Sequence, residues 1–313
     1  LESDFIHNKK EMVYIKAKSI LLIGIILISI LTACTRKETP QTESYSNTVN
    51  YGMYNKNNSL IDVGTSLTTD NDFSGHIEVN QDIRGTYIYY LNILSNGIEI
   101  PYTIDNDTTI SATEFELSDK QSIKKKLLLN SLKQGEEVTV LLFKYPAKQS
   151  ALTVDSSLGY SVMGLRFNIG SPTIPKTFQI NDNAVETENN ADFVLLEPGT
   201  NPPKVAINQS VSSRVQLTIG KNDDQNDIPD RNFVLAFLNG KKIELNSNFN
   251  ETVYQVHNGT SINIPITLPS KDQVQRYGDI FQMVSILSPF EMTNGINSQT
   301  NINFTNPIQI KIN

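Results

Sequence analysis

Two stretches of this chain, about 140 residues apart, repeat one another. Asn96-Gly97 and Asn239-Gly240 each follow an apolar run, Tyr90 to Leu94 and Phe233 to Phe237. Gly135-Glu136-Glu137-Val138-Thr139-Val140 matches Gly278-Asp279-Ile280-Phe281-Gln282-Met283, in both cases a glycine and an acid opening an apolar stretch. Leu165 to Ile169 and Ile308 to Ile312 alternate in the same phase, and all three pairs are offset by 143 residues. Upstream, Ile61-Asp62-Val63-Gly64-Thr65 matches Leu196-Glu197-Pro198-Gly199-Thr200, and Ile77-Glu78-Val79 matches Val215-Gln216-Leu217, with offsets of 135 and 138 that place insertions in the second copy. Matches that keep their order point to a tandem duplication, so both halves are expected to adopt one fold.

Each copy is built from short segments of period two, such as Val138 to Phe143, Val215 to Ile219 and Ser261 to Leu268, separated by Asn, Gly, Asp, Ser and Pro. Alternating or continuously apolar runs of strand length with frequent turn residues argue for antiparallel strands packed as a sandwich. The expected fold class is all-β, and at about 110 residues a copy resembles the immunoglobulin-like sandwich. The chain has no Trp and a single Cys, so the likeness is to the architecture and not to the antibody type. A fold analogy of this kind implies no function.

One helix is expected in the first copy. Ser118 and Gln121 have the spacing of a capping box, and Ile123, Leu127, Leu128 and Leu132 recur on one side until Gly135. The second copy holds a shorter version, with Ser270 and Gln273 ahead of Tyr277-Gly278.

The amino terminus has a different character. Lys9, Lys10, Lys16 and Lys18 precede an uncharged apolar run, Ile20 to Leu31, which ends in the small pair Thr32-Ala33. Basic, apolar and small-residue segments in that order make a secretory signal. Leu31-Thr32-Ala33-Cys34 resembles the lipobox of bacterial lipoproteins at all four positions: an aliphatic residue, two small residues and Cys. The resemblance implies cleavage before Cys34 and a diacylglyceryl lipid on that thiol, with palmitate among its chains. Residues 1–11 read as an upstream extension of a signal that starts at Met12. The competing reading is an uncleaved anchor, but Ser19 to Thr35 is an uncharged run of 17 residues, short of the roughly 18 to 20 that a spanning helix needs.

The expected order is therefore a signal peptide (1–33), a lipidated Cys34 with a flexible tether (34–58), and two sandwich domains (59–172 and 173–313). Thr35 to Asn58 lacks apolar periodicity and buries too little to offset ordering. Its two dozen residues would hold the domains roughly 50 to 80 Å off the membrane if extended, and nearer ~30 Å as a coil. The expected location is extracytoplasmic, lipid-anchored to the cell membrane, and the abundance of Asn, Ile and Lys fits a Gram-positive source.

Residues 1–33 carry four lysines and three acids, so the remainder has 22 basic and 30 acidic side chains, a net charge of −8. That charge is repelled by nucleic acid and anionic headgroups, which argues against both as partners. With Cys34 taken by lipid, no thiol is left for disulfides or metal ligation.

Few constellations carry chemistry. Asn222, Asp224, Asn226 and Asp230 have ligand-like spacing in a short acidic loop and resemble a degenerate calcium repeat of bacterial surface proteins. Gln225 and Asp227 replace the usual glycines, and a solvated hairpin loop is the preferred reading, so no cofactor is required and Ca2+ is the alternative. Lys124, Lys125 and Lys126, with Lys120 and Lys133, could grip an anionic wall polymer, although such runs are usually a solvated face. Tyr87 and Tyr89 share one strand face and are the candidates for stacking on a sugar or a protein, while Tyr90 points to the other face as core.

Catalytic signatures are missing. His76 and His257 lie in separate copies, Gly159-Tyr160-Ser161-Val162-Met163 departs from the nucleophile elbow at its last position, and Ser122-Ile123-Lys124-Lys125 matches Ser-x-x-Lys without its partner motifs. The expected function is a non-catalytic binding or adhesion module that meets a cell-wall polymer or surface protein. The alternatives are an assembly component of a surface complex and a carbohydrate-active hydrolase whose carboxylates leave no local signature.

Overall fold

The computed structural model describes residues 46–68, 72–109, 112–148, 152–153, 159–171, 173, 179–181, 186–188, 193–221, 231–245, 252–287, 289 and 302–312. Nearly all of them lie in strands or the turns between strands. The first half contains β1 (Thr48–Asn55), β2 (Thr65–Leu67), β3 (Phe73–Asp82), β4 (Tyr87–Ser95), β5 (Ile98–Glu99), β6 (Tyr102–Ile104), β7 (Asp107–Thr109), β8 (Thr113–Leu117), β9 (Ser122–Leu129), β10 (Glu137–Pro146) and β11 (Ser161–Ile169). They form two sheets, β1-β3-β9-β6-β7 and β2-β11-β10-β4-β5, with β8 also beside β4.

The second half contains β12 (Gln179–Asn181), β13 (Glu186–Glu188), β14 (Val194–Leu196), β15 (Asn208–Ser210), β16 (Arg214–Lys221), β17 (Arg231–Leu238), β18 (Lys241–Ile243), β19 (Thr252–Gln255), β20 (Thr260–Thr267), α1 (Lys271–Tyr277), β21 (Ile280–Leu287), β22 (Ile302–Phe304) and β23 (Ile308–Lys311). Its sheets run β12-β19-β17-β21-β23-β15 and β13-β20-β16-β14, with β18 on β17 and β22 on β21. One core, around Ile77, Leu91, Leu127, Val140 and Phe167, lies between the sheets of the first half; another, around Leu217, Val234, Phe281 and Met283, lies between those of the second.

The halves repeat each other in detail. Asn96 and Gly97 have φ of 48° and 75°, Asn239 and Gly240 of 45° and 69°, so each pair closes a two-residue hairpin with both residues left-handed. In each, the asparagine also fastens the next strand. Asn96 N–H donates to the Glu137 carbonyl and its Oδ1 accepts from Glu137 N–H (2.8 and 3.0 Å); Asn239 does the same with Ile280 (2.9 and 2.9 Å). Ser95 faces Val138 as Leu238 faces Phe281, which keeps the offset of 143.

The upstream match also holds: Thr65 Oγ1 donates to the Asp62 carbonyl at 2.6 Å and Thr200 Oγ1 to that of Glu197 at 3.1 Å. Both halves send a short strand across to run parallel with the last one, β2 with β11 and β15 with β23. The last strand departs from the expected offset. Ile308 faces Phe281 where Phe167 faces Val138, an offset of 141, and the two-residue slip preserves which face is buried.

Two further expectations are corrected. Ser122 to Leu129 is not a helix but β9, paired antiparallel with β3 from Asn80↔Ser122 to Phe73↔Leu129. Ile123 and Leu127 fit a period of two as well as a helical one, but Leu129 fits only the period of two, and pairing over eight residues decides between them. Ser118 and Gln121 make a turn instead of a cap, with Ser118 N–H donating to Gln121 Oε1 at 2.8 Å. The expected short version in the second half is α1, where Ser270 and Gln273 form a complete capping box and Gly278 ends the helix.

The second correction concerns the tether. Thr48 to Asn55 is strand β1, because Val49, Tyr51 and Met53 alternate into the first core within an otherwise polar sequence. Folded chain thus begins well before the expected Ser59.

Candidate functional site

The surfaces open to a partner are set by how the sandwiches meet. A third apolar cluster joins the outer face of β4 and β10 to the outer face of β17 and β21. Its members are paired by the repeat: Tyr90 with Phe233, Leu94 with Phe237, Leu141 with Val284, and Phe143 with Ile286. Phe143 and Phe237 place their ring centroids 4.7 Å apart.

The turn glycines make the contact reciprocal. A Cβ on Gly97 would overlap the Phe233 ring, and one on Gly240 would overlap the Tyr90 side chain. A surface that meets its own repeat in this way has the logic of a twofold dimer built into a single chain.

Beside the apolar contact lies a buried ion pair. Arg166 Nη2 donates to Glu137 Oε2 at 2.6 Å, and Arg166 Nη1 donates across the junction to the Leu287 carbonyl, also at 2.6 Å. The two side chains are 5% and 4% exposed. Asn92 Nδ2 adds a bond of 2.8 Å to Glu99 and a longer one of 3.4 Å to the Gly240 carbonyl.

The tyrosines divide differently from the expectation. Tyr89 is fully buried in the first core, stacked on Phe115 at 5.5 Å, and its hydroxyl donates to Gln81 Oε1 at 2.8 Å. Burial pushes its phenol pKa up. Tyr89 is therefore a packing residue and is removed as a binding candidate. Period two placed Tyr87 and Tyr89 on one face correctly, but that face is the core. Tyr90 lies opposite, as expected, in the junction between sandwiches. Tyr87 is half-buried at the end of the first core, where Lys144 Nζ sits 4.8 Å from its ring centroid. Burial lowers the Lys144 pKa, and the ring face partly compensates the desolvated ammonium.

The lysine run lies on β9. Lys124 pairs with Glu78 at 2.8 Å and Lys125 with Asp105 at 2.7 Å, while Lys126 is exposed. Each carboxyl is held below its usual range, first of all by the hydrogen bond from its lysine. Two of the three charges are thus already matched on the surface.

A constellation missed from sequence lies on that outer face. The Tyr54 ring stacks on His76 with centroids 4.9 Å apart and planes 5° from parallel, and His76 Nε2 is 3.2 Å from Glu78 Oε1. Leu60, 53% exposed, forms a bridge to Tyr54 beside them. Tyr54 lies in the segment expected to be tether, and the alternation from Val49 to Met53 is the sequence signal that marks it as strand.

Cys34 and the calcium candidates Asn222, Asp224, Asn226 and Asp230 lie outside the described residues. Among the described residues, no group of three or more His, Cys, Asp and Glu is placed to hold a metal ion. No helix among them is long and apolar enough to cross a membrane.

No protein-family model matches the chain, and no curated protein does. Among solved structures it is similar to the chaperone DraB of E. coli, at 9% identity and a TM-score of 0.26, over 85% of this chain and 97% of that one. It is also similar to the Salmonella enterica SafA pilin in complex with the SafB chaperone, at 10% identity and a TM-score of 0.25, over 81% of this chain and 95% of that one. A red sea bream transglutaminase aligns at 7% identity and a TM-score of 0.23, with 84% of this chain spanning only 31% of the enzyme. Likenesses this slight bear on neither activity nor partner.

Proposed function

We propose that the chain is a lipid-anchored, extracytoplasmic binding module without catalytic activity, which presents a two-sandwich body to a protein or polymer of the cell surface. The observation that carries this reading is the junction between equivalent sheet faces. It consumes one face of each sandwich and leaves the outer face of the first sheet, with Leu60 and Lys126 exposed and Tyr54 stacked over the buried His76, turned away from both cores. A body joined in this way holds its exposed surfaces at a fixed spacing, which suits recognition of an extended or repeated partner. The lipobox resemblance at Leu31-Thr32-Ala33-Cys34 supports the anchor.

Two readouts on the full chain in membranes test the halves of the proposal separately. Palmitate labelling is expected for the wild type and not for Cys34→Ala, which should wash from the membrane; equal labelling contradicts the anchor. A photo-crosslinker at Leu60 is expected to capture a defined surface component that the same group at Phe304 does not. Equal capture at both positions contradicts binding through this face.

A further inference from the structure

One edge strand is unlike the rest. Among the described residues, every other strand at a sheet edge is five residues or shorter, and the longest of them, β8, carries Glu114 and Glu116. Shortness and charge are the usual protections of an edge against pairing with another chain. β1 runs for eight residues, Thr-Val-Asn-Tyr-Gly-Met-Tyr-Asn, without a charge or a proline.

The backbone of β1 is half satisfied on its outer side. It pairs with β3 without interruption from Thr48↔Asp82 to Asn55↔Gly75, so alternate residues turn their N–H and C=O groups toward β3 and away from it. Met53 and Asn55 point away, and the returning chain serves them: Ile61 N–H donates to the Met53 carbonyl at 2.8 Å and Asn55 N–H to that of Ser59 at 2.9 Å. Val49 and Tyr51 point the same way. Among the described residues nothing bonds their backbone groups on that side. Their side chains pack against the first core, which holds the open edge extended.

We propose that this edge pairs with the same edge of a second copy of the chain, β1 antiparallel to β1 about a twofold axis through Asn50. In that register Val49 of each copy lies opposite Tyr51 of the other, and the four open groups on each side close four backbone hydrogen bonds. Two five-stranded sheets become one continuous sheet.

Charge favours a like copy as the occupant. Asn50, Asn80 and Ser122 form the row beside the axis and carry no charge, and of the two acids next along that face Glu78 is paired with Lys124 while Asp82 accepts from Ser46 N–H at 3.0 Å. Self-pairing therefore sets no charged side chain in the row at the axis, in a chain that is otherwise acidic. A contact this small belongs to the weak class, with dissociation constants of about micromolar to millimolar. The pairing does not depend on lipidation.

The test uses the full chain in detergent with Cys34→Ala, so that an introduced thiol is the only one. Asn50→Cys would face its counterpart across a non-hydrogen-bonded pair with Cα atoms about 4.5 Å apart, within the range of about 4.4 to 6.8 Å that a disulfide spans. Under mild oxidation it is expected to form covalent dimer about tenfold faster than Lys126→Cys or Ile98→Cys, both exposed elsewhere. In sedimentation, Asn50→Lys is expected to weaken self-association of the Cys34→Ala chain by about tenfold, since it sets like charges face to face. Equal cross-linking rates at the three positions, or sedimentation unchanged by Asn50→Lys, would overturn the proposal. So would a purified chain that stays monomeric while Asn50→Cys captures a different protein in cells, which would assign the edge to a partner's strand.

Discussion

Replacing Arg166 with alanine is expected to lower the free energy of unfolding by about 3 to 5 kcal/mol, the usual cost of removing one partner from a buried ion pair. The guanidinium touches both halves of the molecule, holding Glu137 within its own sheet and the Leu287 carbonyl across the junction. Its loss leaves the Glu137 carboxylate in a site that is 4% exposed, with its main compensating charge gone. Deleting both charges is a different experiment. Arg166→Met with Glu137→Leu removes the uncompensated carboxylate as well as the pair, and is expected to recover most of the loss. Urea denaturation of the wild type, the single variant and the double variant measures the difference. A single variant within about 1 kcal/mol of wild type would show that the pair is solvated in practice.

The second large effect is expected at the reciprocal glycines. Gly97→Val and Gly240→Val should each cost about 2 to 5 kcal/mol, which combines about 1 to 2 for a left-handed β-branched residue with about 1 to 3 for forcing a side chain into a filled space. The first would meet the Phe233 ring and the second the Tyr90 side chain. Gly199 separates the two contributions, because it has φ of 73° and a Cβ placed there would meet nothing within 4 Å. Gly199→Val should therefore show the backbone part alone. Because both glycines serve one junction, the double variant should lose less than the sum of the singles. Strict additivity, or a Gly199→Val loss as large as the others, would mean that the turns and not the junction carry the cost.

The repeat was the most legible part of the sequence, since Asn-Gly hairpins and glycine-acid strand starts are local signals with one structural meaning. It also contained a correction that local reading missed. β3 corresponds to β16, and the neighbour of β16 is β20, the segment Ser261 to Leu268 that alternates plainly as a strand. Carrying that correspondence back identifies Ser122 to Leu129 as a strand, against the helical spacing of its leucines.

The junction left a fainter trace. Val234 to Leu238 and Ile280 to Leu287 are buried throughout instead of alternating, which is the mark of strands covered on both faces. Periodicity alone shows such a run to be buried but not what covers it. Tyr89 illustrates the same limit, because a period of two assigns residues to a face without saying which face is core. The ladder of Tyr54, His76 and Glu78 joins residues on β1 and β3 whose neighbourhood depends on β1 being a strand at all. Only Val49, Tyr51 and Met53 alternate into the core from that strand, too few to stand out from a polar segment.

Two sandwiches joined through equivalent faces should make one cooperative body. Differential scanning calorimetry of the full chain measures this cooperativity. A junction that contains Phe143, Phe237 and the Arg166 bridge should make both halves melt in a single transition, with calorimetric and van't Hoff enthalpies in a ratio of about 1. Two resolved transitions, or a ratio of about 2, would contradict the claim and return the molecule to two independent sandwiches on a string.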